Sequence, residues 1–90
     1  MQEGSYALIE PGMEVIGRNG AVLGSVREVL ADEASDIFKG LVLRTGLFGH
    51  DLLIPGERLE RVHERTVYVD AAMGELQPYL SPEERRSRNV

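Results

Sequence analysis

Two histidines, His50 and His63, are the side chains best suited to bind a metal or to transfer protons near neutral pH. They belong to separate predicted strands, and neither stands in the His-x-x-x-His or cysteine spacing that protein metal sites use. His50 directly precedes Asp51, but adjacent residues on a strand point to opposite faces, which disfavours a working pair. The chain contains no cysteine, so thiolate nucleophiles, disulfides and cysteine-bound metals are excluded. We therefore expect no metal site.

The hydroxyls, glycines and carboxylates do not form a recognisable active site either. No serine lies in a Gly-x-Ser-x-Gly elbow, and nothing places a histidine beside one as a base. Gly17, Gly20 and Gly24 are not spaced as Gly-x-Gly-x-x-Gly, so they suit a hairpin and a bulge better than a phosphate loop. The acidic cluster at 32–36 lacks the alternating ligands and terminal glutamate of a calcium loop. The sequence predicts no catalytic residue and no cofactor, and we do not expect an enzyme.

Charge and composition narrow the class of partner. The formal net charge of −5 disfavours nucleic acid, because such a surface does not attract phosphates. Ninety residues, 42% of them apolar, fit one small domain. The apolar stretches are far shorter than the roughly 20 residues that span a bilayer, and residues 1–10 lack the features of a secretory signal. We expect a cytoplasmic protein without a transmembrane segment.

Turn signals divide the first half of the chain into strands. Gly12 follows Pro11 in a turn that leads into a strand over 13–16. Asn19 and Gly20 are the pair that best tolerates a two-residue type I′ hairpin turn. A second strand over 22–31 departs from strict alternation near Gly24, where the missing Cβ permits a bulge.

The second half continues the pattern. A strand over 37–45 contains the run Leu41–Leu43, which suits burial on both faces. A strand over 51–54 is ended by Pro55, and the next two, over 59–63 and 66–69, are joined by a two-residue turn.

We predict a short helical turn over 71–76, with Asp70 as its N-cap and Pro78 ending it. The expected fold is mainly all-β, a small antiparallel barrel of about six strands with a short C-terminal helix.

Several motifs together resemble the PRC-barrel family. They are Gly12–Val15, Asn19–Val26, Leu41–Leu43, Leu53–Pro55 and Val67–Asp70, in that order and spacing. The likeness covers 11–79, leaving 1–10 as a lead-in and 80–90 as a polar tail. PRC barrels occur in the photosynthetic reaction-centre H subunit, in ribosome-maturation factors and as stand-alone proteins, to which this chain is most similar in architecture. The resemblance implies an adaptor or assembly role through protein binding.

Two segments and one tyrosine are the candidate contacts with a partner. Leu47 and Phe48 form an apolar pair at a glycine-flanked turn, which either folds back on the barrel or meets another chain. Tyr68 is the third candidate contact. The tail from Ser81 begins with a helix-capping pattern but has no apolar stripe to dock on the barrel. It carries Arg85, Arg86 and Arg88, which could contact an acidic surface.

The leading hypothesis is a non-enzymatic interaction or adaptor domain that self-associates as a homodimer, with its other protein partner unidentified. The alternatives are an RNA-processing or ribosome-assembly accessory protein and a small-ligand binder. These would need a basic stripe or a concave apolar pocket, and the sequence shows neither.

Overall fold

The computed structural model describes residues 6–32, 34–35, 37–45 and 51–80, which form one mixed sheet of seven strands. The strands are β1 (Glu14–Ile16), β2 (Val22–Asp32), β3 (Ile37–Arg44), β4 (Asp51–Pro55), β5 (Leu59–His63), β6 (Thr66–Val69) and β7 (Gln77–Pro78). Single turns of 3-10 helix lie at Tyr6–Leu8, Gly56–Arg58 and Met73–Glu75. The order across the sheet is β5-β6-β1-β2-β3-β4-β7. The predicted β-rich class is confirmed.

The expected antiparallel barrel of about six strands is not what the described residues form. The sheet is open, with β5 and β7 at its two ends, and β1 pairs with β6 in parallel. The parallel pair joins Val15 to Val67, too far apart in sequence for local turn signals to predict. Strand β7 was missed because Pro78 was taken as the end of a helix, whereas an edge strand tolerates a proline.

The expected short C-terminal helix is replaced, within the described residues, by a single 3-10 turn at Met73–Glu75. Its first residue follows Ala72, whose N–H donates to Glu75 Oε1 at 3.2 Å. Asp70 is therefore not the N-cap, because its carboxylate instead accepts a hydrogen bond from Arg18. The tail with the helix-capping pattern at Ser81 lies outside the described residues.

One face of the sheet holds the hydrophobic core. Leu41, Leu43 and Ile54 from β3 and β4 meet Val67 and Val69 from β6, and all five are essentially inaccessible to solvent. The two β6 valines therefore point into the core.

Part of the lead-in also packs on the core. Ile9 is buried in the core cluster, and the Tyr6 ring stacks on Phe38 with the centroids 5.1 Å apart. The expectation of a loose lead-in is therefore wrong for these residues.

The first hairpin turn differs from its predicted type, and the second has the two positive φ values that were predicted for the first. Gly20 N–H donates to the Gly17 carbonyl at 3.0 Å, and Gly17 N–H donates to the Ala21 carbonyl at 2.8 Å. Gly20 has φ +80° but Asn19 has no positive φ, so this is a three-residue loop and the predicted type I′ turn is wrong. The turn with two positive φ values is Glu64 and Arg65, at 49° and 66°.

The predicted bulge at Gly24 is confirmed. Between Val15 and Ile16 of β1 the register shifts, and Val15 pairs with Gly24 while Ile16 pairs with Val22. Gly24 has φ +156°, and a Cβ built there would collide with the carbonyl oxygen of Arg44. Glycine at this position lets β2 lie against the end of β3.

Candidate protein interface

The face of β2, β3 and β4 that points away from the core carries apolar side chains, and we call it the outer face. Neighbouring residues on a strand point to opposite faces, so residues adjoining core positions identify it. Val42, for example, lies between Leu41 and Leu43, which both belong to the core cluster. The apolar members of the outer face are, by their position next to core-facing residues and with the β3 bulge between Phe38 and Gly40 included, Val22, Leu30, Ile37, Val42 and Leu53.

These residues form a continuous set across three strands. Val42 is opposite Leu53 of β4 on one side and Glu28 of β2 on the other. Leu30 is opposite Gly40, two residues from Val42, so its side chain lies diagonal to the valine. Ile37 marks one end of the set and Val22 the other.

Exposure along the outer face falls toward its centre. Val42 is fully buried at 0% although it is not part of the core cluster, whereas Val22 and Ile37 expose 57% and 55% of their surface. Leu30 and Leu53 are half-buried. A second apolar centre thus exists on the reverse of the sheet, flanked by large side chains left open to solvent.

Two unpaired charges flank this apolar centre. Arg44 is exposed on β3, two residues from Val42. Its side chain has no hydrogen bond or ion pair within the described part of the chain. Glu28, exposed on β2 opposite Val42, likewise has no partner there.

Every other Arg or Lys side chain in the described part of the chain has a carboxylate or an aromatic ring as a neighbour. Arg18 bonds Asp70 and Glu75, Arg27 pairs with Asp51, Lys39 lies near Asp32, Arg58 pairs with Glu75, Arg61 lies over Tyr68, and Arg65 contacts Glu10. Arg44 is the exception to this rule among the residues described.

Two shallow hollows adjoin the Arg44 end of the outer face. They have volumes of about 400 Å³ and about 330 Å³ and share Gly12, Ser25 and Arg44 in their walls. Glu14 and the exposed side chain of Val22 complete the larger one. Both are open and lined by charged as well as apolar groups, so they do not enclose a small molecule as ligand pockets do.

A cluster of charged side chains ties the first hairpin loop to the segment after β6. Arg18 donates from Nε to Asp70 Oδ1 at 2.7 Å and from Nη1 to Glu75 Oε2 at 2.9 Å. Arg58 Nη1 donates to the Asp70 carbonyl at 2.8 Å.

The hydrogen bond from Arg18 holds the pKa of Glu75 below its usual value, and the two carboxylates raise the pKa of Arg18. Local sequence patterns could not predict this cluster, because Arg18 is more than 50 residues from Asp70 and Glu75. All of its charged side chains have partners within the chain.

The candidate contacts named from the sequence fall in different places. Tyr68 is half-buried, and the Arg61 guanidinium lies 4.3 Å from the centre of its ring, covering that face of the ring. Leu47 and Phe48 lie outside the described residues, as do Arg85, Arg86 and Arg88.

The residues considered for chemistry are not assembled into a site. His63 is exposed, 3.8 Å from Glu64 Oε1, and His50 lies outside the described residues. The Asp32 carboxylate accepts a hydrogen bond from the Ala34 N–H at 3.0 Å, and bonds from Ser35 and this amide keep the pKa of Asp32 below its usual value. Across 6–32, 34–35, 37–45 and 51–80, no three metal-binding side chains converge.

The sequence contains one signal for an apolar outer face, the run Leu41–Leu43. The run Leu41–Leu43 was expected to be buried on both faces, and this prediction is confirmed. Leu53 follows the same logic, since it lies between two core residues of β4. A strand that is apolar on both sides needs cover on both sides.

Comparison with known proteins identifies the domain. The helical turns that the structure describes are each three residues long, which cannot cross a membrane. No curated protein matches the chain. The family model for the PRC-barrel domain matches residues 11–76, which is 66 of 90 positions. The chain belongs to the PRC-barrel domain family.

Proposed function

We propose that this protein is a non-enzymatic interaction domain that self-associates as a homodimer through its outer face. The observation that carries the proposal is the exposure of two large apolar side chains on the outer face, because Val22 and Ile37 are each more than half accessible to solvent. Large apolar side chains on one face of a small domain favour association, because burial removes them from water.

The shape of the surface favours a flat protein partner over a small ligand. The outer face belongs to an extended sheet, and the hollows beside it are open. Two sheets pack face to face when side chains of both interdigitate, at a separation of about 10 Å. A second copy supplies the same apolar set and the same opposite charges, so the surface is complementary to itself.

The ends of the sheet are less suited to pairing. Strand β5 has a free edge, but Glu60, Arg61 and His63 are exposed along it, and its register shifts between Leu59 and Arg61. Charges and bulges on an edge strand oppose pairing with another chain. Face-to-face association therefore agrees better with the described residues than extension of the sheet through β5.

RNA processing, ribosome assembly and small-ligand binding are less well supported. A nucleic-acid surface needs several free cations in a stripe, whereas the outer face places Arg44 close to Glu14 and Glu28. The family consists of small non-catalytic domains that bind proteins, which agrees with an adaptor role.

The test is the mass of the particle in solution, measured by sedimentation equilibrium from about 10 to about 500 µM. The proposal predicts a monomer–dimer equilibrium for a 10.0 kDa chain, weakened by Ile37→Lys. Leu8→Lys is the matched control, because Leu8 is 63% exposed but lies in the first 3-10 turn, outside the outer face. A parent protein that remains a monomer throughout the range would refute self-association.

A further inference from the structure

We infer that Arg44 of one copy pairs with Glu14 of the other across the homodimer, an inference that rests on the proposed self-association. Arg44 alone, among the described basic residues, has no anionic or aromatic partner. Glu14 is an exposed carboxylate on the same side of the sheet, and it too has no hydrogen bond or ion pair within the described part of the chain. Both charges are therefore available to a second copy.

The two charges stand on either side of Ser25. Glu14 of β1 is opposite Ser25 of β2, and Ser25 is opposite Arg44 of β3, so the three residues form one row across neighbouring strands. With strands about 4.8 Å apart, the Cα atoms of Glu14 and Arg44 are separated by roughly 10 Å. The row carries opposite charges at its two ends, so two copies that face each other in opposite order are complementary.

A two-fold axis that runs along β2, midway between the two sheets, produces this arrangement. It exchanges the two sides of β2, which places Arg44 of each copy over Glu14 of the other and Ser25 over its own copy. Sheets that pack face to face lie about 10 Å apart, a distance that the long side chains of arginine and glutamate together can bridge. Each contact occurs twice, as an isologous interface requires.

The same axis uses the apolar side chains that solvent can reach. Val22 lies on β2 and is 57% exposed, so the axis brings it next to its own copy. Ile37 is 55% exposed and is opposite Asp32 at the other end of β2, one strand from the axis. Val42 is covered within its own chain and is not needed for this contact.

The larger hollow leaves room for the incoming charges. Its walls include Glu14, Val22, Ser25 and Arg44, and its volume is about 400 Å³. Gly12 adds to the wall without a side chain, which keeps the hollow open. The residues that the axis brings together at this end of β2 therefore border one depression, which can receive side chains of a second copy.

Glu28 is the competing carboxylate for Arg44, because it is exposed on the outer face without a partner in the described residues. It is opposite Val42, so pairing it with Arg44 would place the axis between β2 and β3, over the covered valine. The axis along β2 instead brings Glu28 near its own copy, and this repulsion opposes dimerisation. Glu28→Gln should therefore tighten the dimer by about threefold, whereas a pairing with Arg44 predicts a weaker dimer.

Charge exchange tests the pairing of Arg44 with Glu14, with the dimer dissociation constant measured by sedimentation equilibrium. Arg44→Glu and Glu14→Arg are each expected to weaken the dimer by about tenfold, because two like-charged contacts replace two favourable ones. The double variant Arg44→Glu with Glu14→Arg should return to within about threefold of the parent. Arg44→Glu combined with Glu28→Arg should not recover.

The controls separate this inference from the proposed function. Glu60→Arg makes the same charge change on the exposed edge strand β5 and should leave the dissociation constant unchanged. A dimeric parent whose affinity is insensitive to both single reversals would overturn the pairing while leaving self-association intact. Recovery with Glu28→Arg instead of Glu14→Arg would overturn the pairing in the same way, and a monomeric parent would overturn both.

Discussion

Replacing Gly24 by alanine should destabilise the fold far more than the same change at Gly20, which also has a positive φ. A Cβ at Gly24 would collide with the carbonyl oxygen of Arg44, which belongs to the backbone of the neighbouring strand and cannot rotate away. The strained φ costs about 1 kcal/mol or more, and forcing the strands apart adds about 1–3 kcal/mol. The expected loss is therefore about 2–4 kcal/mol.

Gly20→Ala is the matched control for that measurement. Gly20 has φ +80°, but a Cβ there meets no atom within 4 Å, so only the conformational strain of about 1 kcal/mol remains. Urea unfolding followed by circular dichroism measures both free energies, and the difference isolates the collision. Equal losses for the two variants would refute the argument that close approach of β2 and β3 requires glycine. Gly20→Val should likewise cost more than about 1 kcal/mol, because a β-branched residue resists positive φ.

Three further predictions concern stability. Glu64→Asn should raise the free energy of unfolding in urea by about 0.5–1 kcal/mol, because asparagine tolerates the φ of 49° better than glutamate does. An unchanged free energy of unfolding would show that this turn is not strained. The hydrogen bond from Arg18 lowers the pKa of Glu75 in the folded state. Ionised Glu75 therefore stabilises the fold at pH values above its unfolded-state pKa, and this stabilisation is lost as the pH falls through its folded-state pKa. The stability of Glu75→Gln should therefore fall less than that of the parent when the pH is lowered, and equal falls would contradict this contribution. Deleting 81–90 should leave the melting temperature nearly unchanged while weakening partner binding, and a large drop in melting temperature would show that this segment belongs to the fold.

Local signals predicted the strands well because turn chemistry and apolar runs act over a few residues. The Gly24 bulge and the doubly buried run Leu41–Leu43 were both expected from the sequence and are confirmed. The first hairpin was located correctly but its turn type was wrong, since Asn19–Gly20 is compatible with more than one loop geometry.

Contacts between distant parts of the chain could not be predicted in the same way. The parallel pairing of β1 with β6 and the Arg18 cluster both join segments about 50 residues apart. The outer face depends on which strands are neighbours, and a single sequence does not provide this information. Once the register is known, alternation along each strand assigns every side chain to a face.

Site-specific cross-linking tests the outer face most directly, because the chain has no native cysteine and a single introduced one reacts alone. Val22→Cys places an exposed thiol on the outer face, on strand β2. Leu8→Cys places an exposed thiol outside this face. A short bismaleimide should give a covalent dimer in high yield with Val22→Cys and little with Leu8→Cys, and equal or reversed yields would contradict association through the outer face.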